Sequence, residues 1–257
     1  MKKILNVENL SKKYGNKIGI KNISFKIFEN ETVSLIGESG CGKTTIAKLI
    51  VGLLKKDTGK IEICGKDIDK MTKKEQKDLH KIVQMIFQSP YSSLNPKYRV
   101  KDIIAEGIKS QKIFNDEDRI NEYILELLNE VGLNSDVIEK YPKELSGGMC
   151  QRVGIARAIA VNPKLIIADE CLSALDRITQ MQVLNLLEKI KTTRGISFLF
   201  ITHDISVAEK ISDRIILIRS GEIVEENLTK NIFSNPKNNY TKNFIEAVNF
   251  LKNEIKK

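Results

Sequence analysis

The fold is decided by the stretch Gly37-Glu38-Ser39-Gly40-Cys41-Gly42-Lys43-Thr44-Thr45. It fits the pattern G-x-x-x-x-G-K-[ST], a glycine-rich loop whose backbone N–H groups point at phosphate oxygens. Residues 32–36 before the loop predict a buried strand, and residues 45–51 after it predict the start of a helix. The pattern requires strand, loop and helix in this order, so the stretch predicts a site for a nucleoside triphosphate.

Single residues of this loop have separate predicted tasks. Lys43 is expected to reach the β and γ phosphates, and the Thr44 hydroxyl is expected to bind Mg²⁺. One lysine about 4 Å from a phosphate charge contributes roughly 4 kcal/mol at an effective dielectric constant of 20. The positive N-terminal end of the following helix also attracts phosphates. The alternative, a plain glycine turn before a core helix, fits these flanking elements less well.

Composition and charge limit the class of protein. The chain has 257 residues, of which 41% are hydrophobic, enough for one large α/β domain or two small ones. The formal charge is +9, but the lysines are scattered and no basic run alternates with aromatic residues. We therefore interpret the charge as a solvated surface, with a position near an anionic membrane as the alternative, and expect no nucleic-acid partner.

Cysteines and apolar runs indicate the compartment. The four cysteines are too far apart for a C-x-x-C metal site, and we expect reduced thiols in a cytosolic protein. The first residues contain no apolar core of a signal peptide. The longest apolar runs, such as residues 215–218, are too short to span a bilayer. Any association with a membrane is therefore expected to be peripheral.

Periodicity divides the chain into strands and helices. Strand patterns at residues 4–7 and 24–27, and after the turn within residues 57–63, predict an antiparallel layer beside the nucleotide core. Residues 100–133 have a helical pattern, and residues 214–224 predict a hairpin. The apolar face of the helical stretch contains Ile120, Tyr123, Ile124, Leu127, Leu128 and Val131.

The predicted fold class is α/β: a P-loop nucleoside triphosphatase with a mostly parallel core sheet, an antiparallel β subdomain and a helical insertion. We expect one domain over residues 1–257, with a helical subdomain at about residues 92–160 and a peripheral, helical C-terminal tail at about residues 227–257. No internal repeat or low-complexity segment interrupts the sequence.

Four apolar strands each end at a residue with useful chemistry. They lead to the glycine loop, to Gln88, to Asp169-Glu170 and to His203. Ligands of open parallel sheets bind outside the carboxyl ends of the strands, so neighbouring strands would bring these groups to one edge. A lone histidine at a strand end is more often structural, whereas an acid pair beside a core needs a partner such as Mg²⁺.

This arrangement predicts phosphoryl transfer to water. Thr44, Gln88 and Asp169 are expected to hold Mg²⁺ directly or through water. Glu170 is expected to orient or deprotonate the attacking water, and His203 to sense the γ-phosphate. Gln88, Glu170 and His203 are therefore the predicted catalytic set.

A second glycine stretch, Ser146-Gly147-Gly148, precedes another predicted helix. Ser146 suits the N-cap, and the glycines leave the backbone bare before a helix N-terminus, where an anion can bind. A plain helix cap is the alternative, and composition does not choose between the two.

The sequence also leaves two interpretations of Tyr14. It is either a surface aromatic residue in a turn or a platform on which a purine stacks.

With these residues together, the chain resembles the ATPase subunits of ATP-binding cassette transporters over nearly its whole length. The resemblance identifies Gly37–Thr45 as the Walker A loop, Tyr14 as the adenine-stacking position and Gln88 as the Q-loop. The other motifs follow in family order: the signature at Leu145-Ser146-Gly147-Gly148-Met149, Walker B with the catalytic glutamate at Asp169-Glu170, the D-loop at Ser173–Asp176 and the switch histidine at His203. The resemblance implies ATP and Mg²⁺ as ligands.

The resemblance also implies an assembly. In this family the signature of one subunit closes on ATP held by the Walker A loop of another, and dimerisation drives membrane subunits between two access states. A narrower likeness, to oligopeptide, dipeptide and nickel importers, rests on Phe87–Pro96, Ala174–Asp176, Gln182–Leu187, Asn235-Pro236 and Tyr240-Thr241. Such importers imply two permease subunits, a second and different ATPase and an extracytoplasmic substrate-binding protein, with this chain at the cytoplasmic face of the membrane.

The predicted function is ATP hydrolysis coupled to the uptake of peptides or nickel. Alternatives are a soluble cassette ATPase outside transport, an export ATPase and a nucleotide-binding partner with weak hydrolysis. Three sites depart from the family pattern: Met149 replaces a glutamine, Cys171-Leu172 replaces proline with threonine or valine, and Cys41 replaces a small residue. The predicted catalytic groups are all present, so an active subunit is expected.

Overall fold

The computed structural model describes residues 2–15 and 17–254, with side chains as far as residue 247. Ten strands run through the described residues: β1 (Lys3–Tyr14), β2 (Lys17–Phe28), β3 (Thr32–Gly37), β4 (Thr58–Ile63), β5 (Lys66–Asp67), β6 (Val83–Ile86), β7 (Leu165–Asp169), β8 (Ser197–Thr202), β9 (Arg214–Arg219) and β10 (Glu222–Leu228). The same residues contain ten α-helices: α1 (Lys43–Ile50), α2 (Lys73–Ile82), α3 (Pro90–Ser93), α4 (Val100–Ser110), α5 (Glu117–Glu130), α6 (Gly147–Ile159), α7 (Arg177–Arg194), α8 (Ile205–Ile211), α9 (Thr229–Ser234) and α10 (Asn239–Glu254).

The chain divides into two compact units. The first unit consists of Met1–Met71 and Ser197–Lys257, and the second unit is Thr72–Ile196. The glycine loop lies in the first unit, and the strand that ends in two acids lies in the second. The predicted limits of a helical subdomain and of a C-terminal tail stay predictions.

Two groups of strands form the first unit. Strands β2, β1, β4 and β5 pair in that order as an antiparallel sheet, which confirms the predicted antiparallel strands. Strands β10, β9, β3 and β8 lie side by side: β3 is parallel to both β8 and β9, and β9 pairs with β10 as the predicted hairpin. Strand β3 is buried along all six residues, as expected of a parallel strand between two others.

An apolar cluster packs the C-terminal part of the chain onto these strands. It contains Ile36 of β3, Leu217 of β9 and Ile245 of α10, all of them buried. The partly buried rings of Tyr240 and Phe244 pack against it. The helices α9 and α10 confirm the helical character that the sequence predicts for this region.

The second unit contains one parallel pair of strands and the helices α2 to α7. Val83 of β6 lies opposite Leu165 of β7, and Ile86 lies opposite Ala168. All five residues of β7 are buried. Because the two strands run in the same direction, the residues that follow β6 and β7 emerge at the same end of the pair.

The predicted helical stretch at residues 100–133 consists of two helices, α4 and α5. Between them, Lys112 has a left-handed φ of 52°, and the Asp116 carboxylate caps α5 by accepting a backbone N–H at 3.0 Å. The predicted apolar face of α5 is buried except for Tyr123, which is half-buried. The ring of Tyr123 meets the ring of Phe114 edge-on, with 5.3 Å between the centroids.

An ion pair ties α5 to α7 in the second unit. The Arg194 guanidinium donates two hydrogen bonds to the Glu130 carboxylate, at 2.7 and 2.6 Å, and both side chains are mostly buried. Both oxygens of the carboxylate are used, and this two-pronged geometry is the strong form of an arginine–carboxylate contact. The glycine at the end of α7, Gly195, has a φ of 65° and closes the helix in the left-handed conformation that glycine favours.

Candidate functional site

The glycine loop forms the centre of the first unit's site. It leaves the buried strand β3 and enters α1, which begins at Lys43, two residues earlier than predicted. The Lys43 side chain is only 4% exposed, and its ammonium donates to the carbonyl oxygens of Gly37 at 2.8 Å and Glu38 at 2.9 Å. The buried ammonium, which donates to two carbonyl oxygens of the loop, helps to hold the loop in its curled shape.

The start of α1 is open to an anion. Gly42 occupies the N-cap position with a φ of 108°, and no side chain among the described residues caps the helix there. Backbone N–H groups and the helix dipole therefore point into the loop. Burial raises the pKa of the Cys41 thiol although Lys43 opposes this, so Cys41 stays a neutral thiol at neutral pH.

Two more predicted residues lie in the same unit as the loop. The Tyr14 ring is 47% exposed, and its hydroxyl is 3.4 Å from Oγ1 of Thr45, within hydrogen-bonding distance of the loop's end. Strand β8 is the parallel neighbour of β3, with Thr202 opposite Ile36, so His203 follows β8 at the strand end where the loop begins. The structure therefore brings the predicted adenine platform, the loop and His203 to one end of this unit.

The second unit brings two predicted catalytic residues into direct contact. The Gln88 side-chain amide, which follows β6, donates to the Glu170 carboxylate, which follows β7, at 2.9 Å. Asp169, at the last position of β7, is 4% exposed. The pairing of parallel strands thus produces the Gln88–Glu170 contact, as the sequence predicts for strand-ending groups.

The backbone of Glu170 adopts an unusual conformation. Its φ is +45°, a region of backbone conformation that residues other than glycine rarely occupy. The Ser173 hydroxyl donates to the Glu170 carbonyl oxygen at 2.8 Å and holds the turn after β7. Strained backbone of this kind is common where a side chain must be aimed at a reaction. Next to it, burial raises the pKa of Cys171 to about 12, so this thiol is no nucleophile.

The second glycine stretch caps a helix, as predicted. The Ser146 side chain accepts the Met149 N–H at 3.3 Å and caps α6. Gly148 lies close to α7, because a Cβ there would be 2.7 Å from Cγ2 of Thr179. The Tyr91 hydroxyl donates to the Leu145 carbonyl at 3.0 Å and ties the segment after Gln88 to this stretch.

Several contacts of these sites involve residues that sequence reasoning missed. Arg157 of α6 donates to the Ser93 carbonyl at 2.7 Å and, like Tyr91, fixes the segment that follows Gln88. In the first unit, the Tyr240 hydroxyl donates to the Glu38 carboxylate at 3.1 Å. The two residues of that contact are 202 positions apart, and neither hydrophobic periodicity nor a motif pairs them.

The donor atoms suit a magnesium ion that nucleotide phosphates help to hold. The described residues contain no cluster of three His, Cys, Asp or Glu side chains that could bind a metal on protein ligands alone. The predicted ligands Thr44, Gln88 and Asp169 offer a hydroxyl, an amide and a carboxylate, all oxygen donors. Mg²⁺ takes one or two such ligands and completes its shell with phosphate and water. The roles predicted for single site residues stay predictions.

We expect Gly42→Ala to destabilise the chain more than Gly40→Ala. Both glycines have positive φ, 108° and 79°, where alanine costs about 1–2 kcal/mol. A Cβ on Gly42 would also lie 2.6 Å from the Gly19 carbonyl oxygen, whereas a Cβ on Gly40 would meet no described atom within 4 Å. Urea unfolding without nucleotide should show an additional loss of about 1–3 kcal/mol for Gly42→Ala. Equal losses would contradict this steric difference.

Comparisons with known sequences agree on one family. The family model described as ABC transporter matches residues 20–173. The oligopeptide transport ATP-binding protein OppF of Streptococcus mutans is 44% identical in an alignment of 252 positions that covers 96% of this chain and 82% of the relative. The protein of the same name from Haemophilus influenzae is 42% identical over 229 residues, which are 89% of this chain and 69% of the relative.

Solved structures confirm the predicted α/β P-loop fold. The ATP-binding cassette MJ0796, solved as a dimer in a post-hydrolysis state with ADP and Pi, has a TM-score of 0.79 at 31% identity over 88% of this chain and 99% of that one. The protein cbiO1 of Clostridium perfringens, part of the ABC transporter complex cbiONQ, has a TM-score of 0.81 at 26% identity over 91% of this chain and 92% of that one.

Proposed function

This chain belongs to the ABC transporter family and is an ATP-hydrolysing subunit, and we propose that it drives the import of oligopeptides through partner permeases. Relatives that match 96% of the chain at 44% identity are named oligopeptide transport ATP-binding proteins. These names favour peptides over nickel as the cargo. They also give no support to a soluble ATPase of translation or DNA repair, or to an export ATPase.

The hydrolysis step rests on the contact between Gln88 and Glu170. The 2.9 Å hydrogen bond holds the glutamate carboxylate in a fixed direction at the end of a buried parallel strand. We infer that Glu170 orients and deprotonates the attacking water, with Gln88 positioning Glu170 and His203 sensing the γ-phosphate. General-base assistance of this kind is typically worth about 10²–10⁴-fold in rate.

ATP binding is assigned to the loop Gly37–Thr45, with Tyr14 as the platform for adenine. The buried Lys43 and the open N-terminus of α1 support this assignment, because both attract phosphate. We assign Mg²⁺ to Thr44, Asp169 and Gln88, whose oxygen donors suit this ion. Bound Mg²⁺ would neutralise charge that develops on the phosphates.

Ser146, Gly147 and Gly148 are assigned to ATP held by a second ATPase subunit. The Ser146 side chain is exposed and caps α6, whose N-terminal end attracts an anion. Met149 is half-buried and its N–H is bonded to Ser146, so the departure from the usual glutamine leaves the cap intact. This assignment requires a dimer of ATPase subunits.

We propose that this chain meets the membrane through partner proteins. Within residues 2–15 and 17–254, the structure has no helix that is long and apolar enough to cross a bilayer. We propose a peripheral position on the cytoplasmic face, in a complex with two permeases and a second ATPase. An extracytoplasmic binding protein would deliver the peptide, and the region around Gln88 would receive a permease helix.

Affinity purification tests this assembly. A tagged Glu170→Gln chain, purified from membranes with ATP present, should retain two permeases and a second, different ATPase in mass spectrometry. The same purification without ATP is the control for nucleotide dependence. Recovery of ribosomes, DNA or only the bait would contradict the transport function.

Cargo is tested separately in cells. Deletion of the gene should abolish uptake of a labelled oligopeptide, and the wild-type chain should restore it. The isolated binding protein of the complex should then bind peptides. A binding protein that takes nickel and no peptide would overturn the proposed cargo while leaving the importer class intact.

A further inference from the structure

The C-terminal helix reaches the phosphate-binding loop inside the first unit. The hydroxyl of Tyr240, in the first turn of α10, donates a hydrogen bond to Oε1 of Glu38 at 3.1 Å. Glu38 is the second residue of the loop and the only acid in Gly37–Thr45. The contact therefore joins the last described helix to the part of the loop that carries a negative charge.

Neighbouring groups hold the Tyr240 ring in place. The guanidinium of Arg219, at the end of β9, lies over the ring at 4.8 Å from its centroid. The Phe244 ring stacks against it with 6.0 Å between the centroids. The Tyr240 N–H donates to the Asn238 side chain at 2.8 Å. With two contacts on the ring and one on its backbone N–H, Tyr240 presents its hydroxyl in a restricted position.

The start of α10 is anchored to the hairpin strand β10. The Glu225 carboxylate accepts the backbone N–H groups of Lys237 and Asn238 at 2.9 and 3.0 Å. Burial of Glu225 alone would raise its pKa, but these two bonds and the nearby charge of Lys237 outweigh burial and lower it. Glu225 thus stays ionised at neutral pH and holds the segment that carries Tyr240.

The hydroxyl of Tyr240 keeps its proton. Burial raises the pKa of Tyr240 to about 12, and the hydrogen bond to Glu38 acts in the same direction. At neutral pH the phenol is therefore a donor, and the Glu38 carboxylate is its acceptor.

Glu38 is also bound to the lysine of the loop. Its carbonyl oxygen accepts from the Lys43 ammonium at 2.9 Å and from the Cys41 N–H at 3.3 Å. One end of Glu38 thus helps to shape the loop, while its side chain is held by α10. A free carboxylate in this place would repel phosphate and would let the first residues of the loop move.

We propose that Tyr240 is a positioning residue for ATP binding: by holding the Glu38 side chain, it keeps the loop in shape and the carboxylate turned toward α10 and away from phosphate. The inference rests on the proposed role of Gly37–Thr45 in binding ATP. It gives the C-terminal segment, which otherwise lies outside the nucleotide chemistry, a direct effect on nucleotide affinity.

The test is a double-mutant cycle on the full chain with a fluorescent N-methylanthraniloyl-ATP and Mg²⁺. Tyr240→Phe keeps the ring on Arg219 and Phe244 but removes the hydroxyl. It should weaken binding about three- to tenfold, the range expected for one ordinary intramolecular hydrogen bond, without lowering the unfolding midpoint of the nucleotide-free chain by more than Tyr98→Phe does. Tyr98 is an exposed tyrosine of the second unit and serves as the matched control.

The Glu38→Ala variant distinguishes the hydrogen bond between Tyr240 and Glu38 from a general effect of Tyr240→Phe on stability. In that background the acceptor is gone, so adding Tyr240→Phe should have no further effect on affinity. An unchanged affinity of the Tyr240→Phe single variant, or equal losses in both backgrounds, would overturn the inference while the loop still binds ATP. A wild-type chain that does not bind the analogue would instead overturn the role of the loop, and this inference with it.

Discussion

Glu170→Gln is expected to slow ATP hydrolysis by about 10²–10⁴-fold while ATP still binds, because the change removes the base and leaves the phosphate-binding loop untouched. The substitution keeps the length of the side chain. The Gln88 amide can still donate to an amide oxygen at this position, so the contact at 2.9 Å is preserved. The variant therefore separates loss of the base from loss of position.

Steady-state phosphate release by the assembled complex measures the rate, and titration with fluorescent ATP measures binding. The matched control is Glu188→Gln, which removes the same charge from an exposed position on α7. The control should hydrolyse ATP like the wild type. Hydrolysis by Glu170→Gln within threefold of wild type would show that another group activates the water, and it would contradict the role of Glu170 as the base.

The strand-ending residues show which parts of a site a sequence can predict. Short apolar runs bounded by glycine, proline or polar residues identified strands β3, β6, β7 and β8, because a buried strand needs a continuous apolar run. The glycine loop identified its own flanking elements. The sequence predicted that strand-ending residues would meet if their strands were neighbours; the pairing of β6 with β7, which the structure supplies, brings Gln88 to Glu170.

Other features were not predictable, since they depend on residues that are distant in the sequence or on backbone details. The positive φ of Glu170 has no compositional signal, because the residue is not a glycine. Tyr240 meets Glu38 only after β9, β10 and α10 have packed. The ion pair between Glu130 and Arg194 likewise depends on how two helices pack, which periodicity alone does not specify.

The burial of Lys43 was also not predictable from the sequence, and it determines how strongly a substitution of this lysine should weaken ATP binding. The motif predicts that this lysine meets phosphate, but it does not reveal that the ammonium is held by two loop carbonyls. A charge so deeply buried is stable only when partners such as those carbonyls or a phosphate accompany it. Lys43 therefore acts on the shape of the loop as well as on the ligand.

Lys43→Met is expected to weaken ATP binding by about 10²–10³-fold. One ammonium about 4 Å from a phosphate charge contributes roughly 4 kcal/mol to binding at an effective dielectric constant of 20. Part of this is offset, because the same substitution also removes the contacts that the ammonium makes with loop carbonyls in the nucleotide-free chain. Methionine fills similar space without charge, so the cavity stays filled. Lys48→Met changes an exposed lysine on the same helix and should leave affinity near that of the wild type.

Titration with fluorescent ATP and thermal unfolding without nucleotide should be measured together on these variants. If Lys43 acts mainly on phosphate, affinity falls while the unfolding midpoint of the nucleotide-free chain changes little, because a buried charge and its hydrogen bonds are removed at once. If Lys43 acts mainly on loop shape, the midpoint falls as well, and Gly42→Ala should weaken binding to a similar extent. Affinity within threefold of wild type would remove Lys43 from the ATP site, and the assignment of Gly37–Thr45 would have to be abandoned.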